Sequence, residues 1–247
     1  MNSQPPDQAM VLAAGLGLRM RPLTNNLPKP LVLLNGKSLL DRVLDHLIEI
    51  GVKNVTINLH YLGEMIENHL KTRVNPEINF SNEAECLLET GGGVAKALKF
   101  FEANPFYVIN ADIAWKNGKI PALKRLVEFW DDGLMDALLL LHPVSGKNGY
   151  NGNGDYNRMK NGRLRRRINE TSVPFVFTGI QILHPRLFAR APAGQFSLTS
   201  LYNEAEGNKP REPVNIAASS DKISPNKLSV TITSNCLGFL KSCIAQL

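Results

Sequence analysis

Hydrophobic positions along this chain fall into two periods that take turns. Residues 9–13 are an apolar run that looks like a buried strand, starting about Gln8. Residues 38–50 then place Leu39, Leu40, Val43, Leu44, Leu47 and Ile48 at three- and four-residue steps, which predicts a helix with one apolar face. Ser38, with Asp41 three residues on, reads as its N-cap, and Gly51 as its end. The alternation continues: V-T-I-N-L at 55–59 reads as a strand, 62–71 as an amphipathic helix, and 78–81 as a short strand. A turn at Gly91, Gly92 and Gly93 opens a helix reaching residue 101, and the strand F-Y-V-I-N at 106–110 delivers Ala111 and Asp112. A helix over 120–130 precedes a buried-looking strand at 136–142. Strands alternating with helices predict an α/β fold, a Rossmann-like domain whose mixed, mainly parallel central sheet is flanked by helices.

After Leu141 the texture changes. Residues 145–157 are rich in Gly and Asn and read as a loop or tight hairpin. A strand at 175–183, a short helical stretch after Pro185 and a helix at 198–206 complete the domain, which spans 1–206. Residues 207–247 are polar and broken by proline, and read as a divergent, poorly ordered tail.

Composition narrows the class. A chain of 247 residues is ample for one α/β domain, and 43% hydrophobic with 20% charged residues is ordinary for a water-soluble protein. No run of about 18 apolar residues marks a membrane span, and the polar start of the chain is not a secretory signal. Cys86, Cys236 and Cys243 have no C-x-x-C spacing, which argues against a disulfide framework or a zinc site and fits the cytoplasm. The net charge of +6 comes half from the tail, with its five Lys/Arg and two Asp/Glu. Arg158, Lys160, Arg163, Arg165, Arg166 and Arg167 form another basic cluster, without the interleaved aromatics of a nucleic-acid surface. They read as a solvated loop or edge strand near an anionic substrate, with no nucleic-acid or membrane partner.

The chemistry concentrates in residues 12–31, L-A-A-G-L-G-L-R-M-R-P-L-T-N-N-L-P-K-P-L. Two glycines after a strand let the backbone approach an anion. Arg19 and Arg21 add fixed positive charge, and Pro28 and Pro30 stiffen the loop presenting Lys29. A dinucleotide-binding G-x-G-x-x-G would need glycine where Met20 stands. A P-loop ending at Gly36-Lys37-Ser38 would need its first glycine at Leu31. What remains is a site for the phosphates of a nucleoside triphosphate, or a plain glycine-rich turn beside a basic surface. In open α/β sheets ligands gather at the carboxyl ends of strands, and both the glycine loop and Asp112 lie at such ends. Asp112 is suited to Mg²⁺, which takes one or two carboxylates with phosphate oxygens and water; the alternative is a turn-capping Asp. No Ser/His/Asp or Cys/His arrangement suggests a covalent nucleophile, and His60 and His142 read as packing or surface residues.

G-x-G-x-R-M-x-P-x-T followed by P-K-P resembles the signature of the sugar-1-phosphate nucleotidyltransferases, over residues 9–206. The resemblance implies a nucleotidyltransferase domain taking an NTP and a sugar 1-phosphate and releasing pyrophosphate, with Mg²⁺ as cofactor. It implies Arg19 and Lys29 as catalytic residues. Ala13, Ala14, Gly15, Gly17, Leu18, Glu89, Thr90, Gly91 and Gly92 would join them around the nucleotide, and N-A-D would place Asp112 on the metal. L-E-T-G-G-G at 88–93, with Asn110 before Asp112, resembles the branch that uridylates N-acetylmuramate 1-phosphate; guanylyltransferases acting on mannose 1-phosphate and glucose-1-phosphate enzymes are the alternatives. On that resemblance Asn110, Asp155, Thr178 and Gly179 would face the sugar. The family continues with a W-x-x-V-G-T-like segment whose acid adds a second metal ligand in the uridylyltransferase branch. Here only Glu212 and Asp221 follow Glu206, which reads as a frame-shifted or replaced C-terminus, the alternative outcome being a catalytically impaired nucleotide-binding module.

Overall fold

A computed structural model describes residues 5–144, 150, 152–207, 216–218 and 229–231. Its first half is built from βα units. Strand β1 (Gln8–Leu12) runs into the glycine loop, a 3₁₀ turn at Leu18–Met20 and a second at Lys29–Leu31. A small hairpin, β2 (Leu33–Leu34) and β3 (Lys37–Ser38), leads to helix α1 (Leu39–Glu49). Then follow β4 (Asn54–Leu59), α2 (Gly63–Leu70), β5 (Glu77–Asn82), α3 (Glu89–Ala97) and β6 (Phe106–Asn110). The second half holds β7 (Ala114–Lys116), α4 (Ala122–Phe129), β8 (Ala137–Pro143), β9 (Tyr156–Arg158), β10 (Leu164–Arg166), β11 (Phe175–Leu183) and α5 (Leu198–Gly207).

The main sheet runs in the order β10-β9-β11-β6-β1-β4-β5, and β8 also pairs with β11. Strands β6, β1, β4 and β5 are parallel neighbours, and β11 joins them antiparallel to β6, so the sheet is mixed around a parallel core. Period-two alternation fills both faces. Ala9, Val11, Tyr107 and Ile109 point into one core with α1, α2 and α4. Met10, Phe106 and Val108 point into the other, with residues of α3 and α5. Ser38 caps α1 by accepting from the Asp41 amide at 2.9 Å, and Leu39, Leu40, Val43, Leu44 and Leu47 are buried. Ile48 is the exception in the expected apolar face, since it falls at the margin and is 40% exposed.

Two features escaped the periodicity. Strands β9 and β10 form a hairpin that carries most of the basic cluster along one end of the sheet, as an edge strand. Against β8, the register of β11 shifts between Phe177 and Gln181, so Thr178 and Gly179 form a bulge. Of the tail, two short strands are described: β12 (Ile216–Ala218), parallel to β8, and β13 (Ser229–Thr231), antiparallel to β7. The expected disorder and divergence of 207–247 otherwise concern positions outside the described residues, as does the loop expected at 145–149 and 151. Among the described residues no helix is long and apolar enough to cross a membrane.

A charge cluster ties α1 to the chain beyond α2. Asp41 accepts from Ser38 Oγ at 2.6 Å, from His69 Nε2 at 2.8 Å and from Arg73 Nη1 at 2.8 Å. Arg73 also reaches Asp45, which pairs with Lys37. Burial pushes the Asp41 carboxyl up, but the hydrogen bonds of Ser38 and His69 and the charges of His69 and Arg73 outweigh it and hold it below its ordinary value. At Asp45 burial is likewise outweighed, by hydrogen bonds from Lys37 and Arg73. Because both folded values are depressed, this stabilisation is complete above about pH 4 and is lost as pH falls through the folded values. In urea titrations Arg73→Met is expected to be about 1 kcal/mol less stable than wild type at pH 7, and that gap should narrow as the pH falls below about 4. A gap that does not narrow on acidification would place its origin elsewhere.

Candidate active site

The site begins where β1 ends. The backbone N–H of Ala13 donates to Asn58 Oδ1 at 2.8 Å, and Ala111 N–H donates to the Leu12 carbonyl at 3.0 Å, so three parallel strand ends are tied together. From there the chain turns away from the sheet. Gly17 has φ 64, and a Cβ there would meet Thr24 at 3.2 Å and Lys29 Cβ at 3.4 Å, so both backbone and space require glycine. Thr24 is fully buried and donates its hydroxyl to the Gly17 carbonyl at 2.8 Å. Tyr61 then fixes Thr24 and Asn25 by donating to their carbonyls at 3.0 and 2.7 Å. Among the described residues, none of the N–H groups from Ala14 to Arg19 is drawn into a hydrogen bond, which leaves this turn equipped to receive an anion.

A cleft of about 610 Å³ opens at this edge of the sheet, lined among others by Ala13, Gly15, Arg19, Lys29, Asn110 and Asp112. That volume suits a small-molecule ligand. Lys29 lies in the 3₁₀ turn that follows Pro28 and is buried, its stem packed inside and its ammonium paired with Asp112 Oδ2. Arg19 is exposed on the turn above. Ala14, Gly17 and Leu18 complete the loop wall, while Glu89, Thr90, Leu87 and Ser197 form the facing wall. Glu89 takes φ 60 at the start of α3, and Thr90 receives the Leu198 amide at 3.0 Å.

The triple glycine has a different explanation from the one its sequence suggests. Gly91, Gly92 and Gly93 lie within α3 rather than in a turn before it, and all are buried. Gly91 and Gly92 both donate their N–H to the Phe196 carbonyl, at 2.8 and 3.0 Å, and neither lines the cleft. A Cβ on Gly92 would run into the Gly194 carbonyl, and one on Gly93 would lie 2.7 Å from Glu83 Oε1. These glycines let a helix lie against the 194–196 segment and against the Glu83 and Asn58 side chains, a packing requirement that composition alone does not distinguish from ligand approach.

The expected sugar-side residues divide. Asn110 lines the cleft. Gly179, at φ 82, sits directly behind it, and a Cβ there would come within 2.8 Å of Asn110 Nδ2. Thr178 is buried and donates to the Leu140 carbonyl at 2.8 Å across the bulge. Asp155 Oδ2 accepts from the Phe177 amide at 2.9 Å, just before the bulge. Thr178, Gly179 and Asp155 therefore shape the wall behind Asn110 and are not among the cleft's lining residues. Sequence reasoning missed Asn58, which lines the cleft, and Glu83 beneath it. The polar interruption Asn58 makes in an otherwise buried strand was their one visible signal. No group of three or more His, Cys, Asp or Glu side chains able to hold a metal occurs among the described residues. One cleft carboxylate beside the glycine loop, Asp112, is nevertheless enough to suit Mg²⁺, which draws its remaining oxygens from phosphate and water.

A parallel-core sheet, a loop of unused amide donors and a lysine–aspartate pair at one cleft define a nucleotide-handling transferase. Residues 8–150 match the family described as Nucleotidyl transferase. N-acetylmuramate alpha-1-phosphate uridylyltransferase of Caulobacter vibrioides is 39% identical over 204 residues, 81% of this chain and 84% of that protein. The enzyme of the same name from Neisseria meningitidis is 32% identical, over 76% and 79% of the two chains. The chain belongs to this family and is a sugar-1-phosphate nucleotidyltransferase. Solved structures share the fold: HddC from Yersinia pseudotuberculosis complexed with GMP-PN has a TM-score of 0.73 at 22% identity, covering 97% of this chain and 99% of its own. UDP-glucose pyrophosphorylase complexed with UDP-glucose has a TM-score of 0.72 at 17% identity, covering 98% of each chain.

Gly92→Ala is expected to destabilise the protein by about 1–3 kcal/mol, since the added methyl must push the Gly194 backbone away from α3. Thermal unfolding compared with Gly36→Ala tests this, because Gly36 has nothing within 4 Å of its Cβ position and carries only the cost of its φ of 73. Equal losses at the two positions would mean that packing against Gly194 does not require the glycine.

Proposed function

We propose that this enzyme joins UTP to N-acetylmuramate 1-phosphate, forming the UDP-sugar and pyrophosphate in a cytoplasmic step of cell-wall sugar recycling. The observation that carries this reading is coverage. The two uridylyltransferases match along 81% and 76% of this chain, whereas mannose-1-phosphate guanylyltransferase catalytic subunit beta of Drosophila melanogaster matches along 43% of it and 30% of its own length. The L-E-T-G-G-G string at 88–93 supports the same branch.

In this reading an oxygen of the sugar 1-phosphate attacks the α-phosphorus in line. The bond from that phosphorus to the α,β-bridging oxygen breaks, and pyrophosphate leaves with the electron pair. The nucleophile is already anionic near neutral pH, so alignment and charge neutralisation suffice without a general base. The amides from Ala14 to Leu18 and the Arg19 guanidinium receive the leaving β- and γ-phosphates. Lys29 serves the α-phosphate, and Asn110 with the wall formed by Gly179, Thr178 and Asp155 orients the sugar. Asp112 would hold Mg²⁺, which when bound would offset charge on the transferring phosphoryl group. The catalytic unit is residues 1–206, with 207–247 a divergent addition.

Pyrophosphate release measured across four NTPs and several sugar 1-phosphates is expected to be fastest for UTP with N-acetylmuramate 1-phosphate; a clear preference for another pair would replace this assignment. Lys29→Met keeps the buried stem, and with Arg19→Ala it should lower kcat/KM by about 10² or more while the fold is retained. Near wild-type turnover in either would remove the phosphate role from that residue. Asp112→Asn should shift the activity titration to higher Mg²⁺, because an amide oxygen is a poorer ligand for a hard dication. An unchanged titration would return Asp112 to a purely structural part.

A further inference from the structure

Glu83 follows β5 directly, is 1% exposed, and lies behind the cleft without lining it. Its carboxylate accepts from Asn58 Nδ2 through Oε1 at 2.8 Å and from the Leu88 amide through Oε2 at 3.0 Å. Asn58 in turn accepts from Ala13 N–H at 2.8 Å. Main-chain bonds fix Glu83 itself: its N–H donates to the Leu59 carbonyl at 2.7 Å, and its carbonyl receives Cys86 N–H at 3.2 Å and faces His60 Nδ1 at 2.7 Å. The third glycine of α3 leaves the room this requires, since a Cβ on Gly93 would lie 2.7 Å from Glu83 Oε1 and 2.9 Å from Asn58 Nδ2.

One buried side chain thus sets two positions on opposite walls. Through Asn58 it fixes Ala13, where the phosphate loop leaves β1. Through Leu88 it fixes the residue before Glu89 and Thr90, which face that loop across the cleft. A relay of this kind is directional. The Ala13 amide can only donate, so Asn58 must present its oxygen to it and its NH₂ to position 83. That position must then accept, and it must accept from Leu88 as well. A carboxylate meets both demands and a carboxamide meets one.

We propose that Glu83 is a positioning residue that holds the phosphate loop in register with the facing wall of Glu89 and Thr90, and so sets how strictly the cleft discriminates between NTPs. The inference rests on the reading of this cleft as the NTP site. It predicts that losing the carboxylate harms discrimination more than turnover, because Lys29 and Asp112 remain paired with each other while the loop and the wall facing it lose their common anchor.

The test is an exchange of partners in the full-length chain. In Glu83→Gln the amide NH₂ opposes Asn58 Nδ2 or Leu88 N–H, and one buried donor loses its acceptor. The double variant Glu83→Gln with Asn58→Asp reverses the donor and acceptor between the two positions. The carboxamide now at position 83 can donate to the carboxylate at position 58 and accept from Leu88, while that carboxylate still accepts from Ala13. The ratio of kcat/KM between the preferred NTP and the other three is the kinetic readout. The added charge at position 58 repels all four triphosphates alike and cancels from that ratio. Hydrogen–deuterium exchange of peptides containing Ala13 and Leu88 is the second readout, and needs no substrate. The single variant should lower the ratio about tenfold and speed exchange at one or both amides, and the double variant should restore both. A single variant that keeps the ratio and the protection, or a double variant as impaired as the single or unable to fold, overturns the proposal. If wild type turns over no NTP, the nucleotide reading of the cleft fails instead, and the exchange data alone decide the relay.

Discussion

Parallel strands that stop at the same edge of a sheet leave their last backbone groups without ladder partners, and the cleft depends on how these groups are satisfied. Each such end here finds a partner from a neighbouring segment: Ala13 N–H on Asn58, Ala111 N–H on the Leu12 carbonyl, Glu83 N–H on the Leu59 carbonyl. Those bonds anchor the starts of the three connections that follow β1, β5 and β6, whose residues line the cleft. The opening between them is the cleft. A strand-end crevice of this kind is a consequence of how backbone hydrogen bonds are completed in a parallel core, and in open α/β sheets it is where ligands gather.

Charge gives the cleft its second character. Lys29 is buried and paired with Asp112, so an ammonium and a carboxylate neutralise one another inside the cleft. A buried lysine needs such a partner, because an isolated ammonium among apolar side chains is costly. Arg19 has no comparable constraint and stays exposed on the loop above. Fixed charge at the rim and a paired charge beneath it suit a site that must attract a polyanion and also release one.

Much of this was legible in sequence, where one short segment decides the outcome. The alternation of Ala9 and Val11 against Met10, the step pattern of α1 and the Ser38 cap are local, and local rules recover them. Gly15, Gly17, Arg19, Lys29, Asn110 and Asp112 were expected together and line one cleft. The triple glycine was a correct signal with an incomplete reading: glycine marks close approach, but sequence does not say whether the neighbour is a ligand or, as here, the 194–196 segment and the Glu83 carboxylate. Asp155 and Thr178 were likewise visible as polar residues of consequence, yet their partners lie 22 and 38 positions away in the chain, on strands whose register the pattern could not give. Asn58 and Glu83 escaped notice for the same reason, being meaningful only as a pair set across two strands.

The basic hairpin also bears on the edge of the sheet. Strand β10 closes the sheet order at one end, and among the described residues it has no further strand partner. Its sequence, Leu164–Arg166, turns one side chain into the core and carries two arginines, with Arg165 exposed and paired to Glu170. An open strand edge is a template on which another molecule's strand can add, and charge along that edge opposes the addition of an identical copy bearing the same charge. The arginines that look, in sequence, like a surface for binding polyanions thus equip the terminal strand to discourage like-with-like association. Charge placed at such a margin works against a continuation that backbone hydrogen bonding alone would allow.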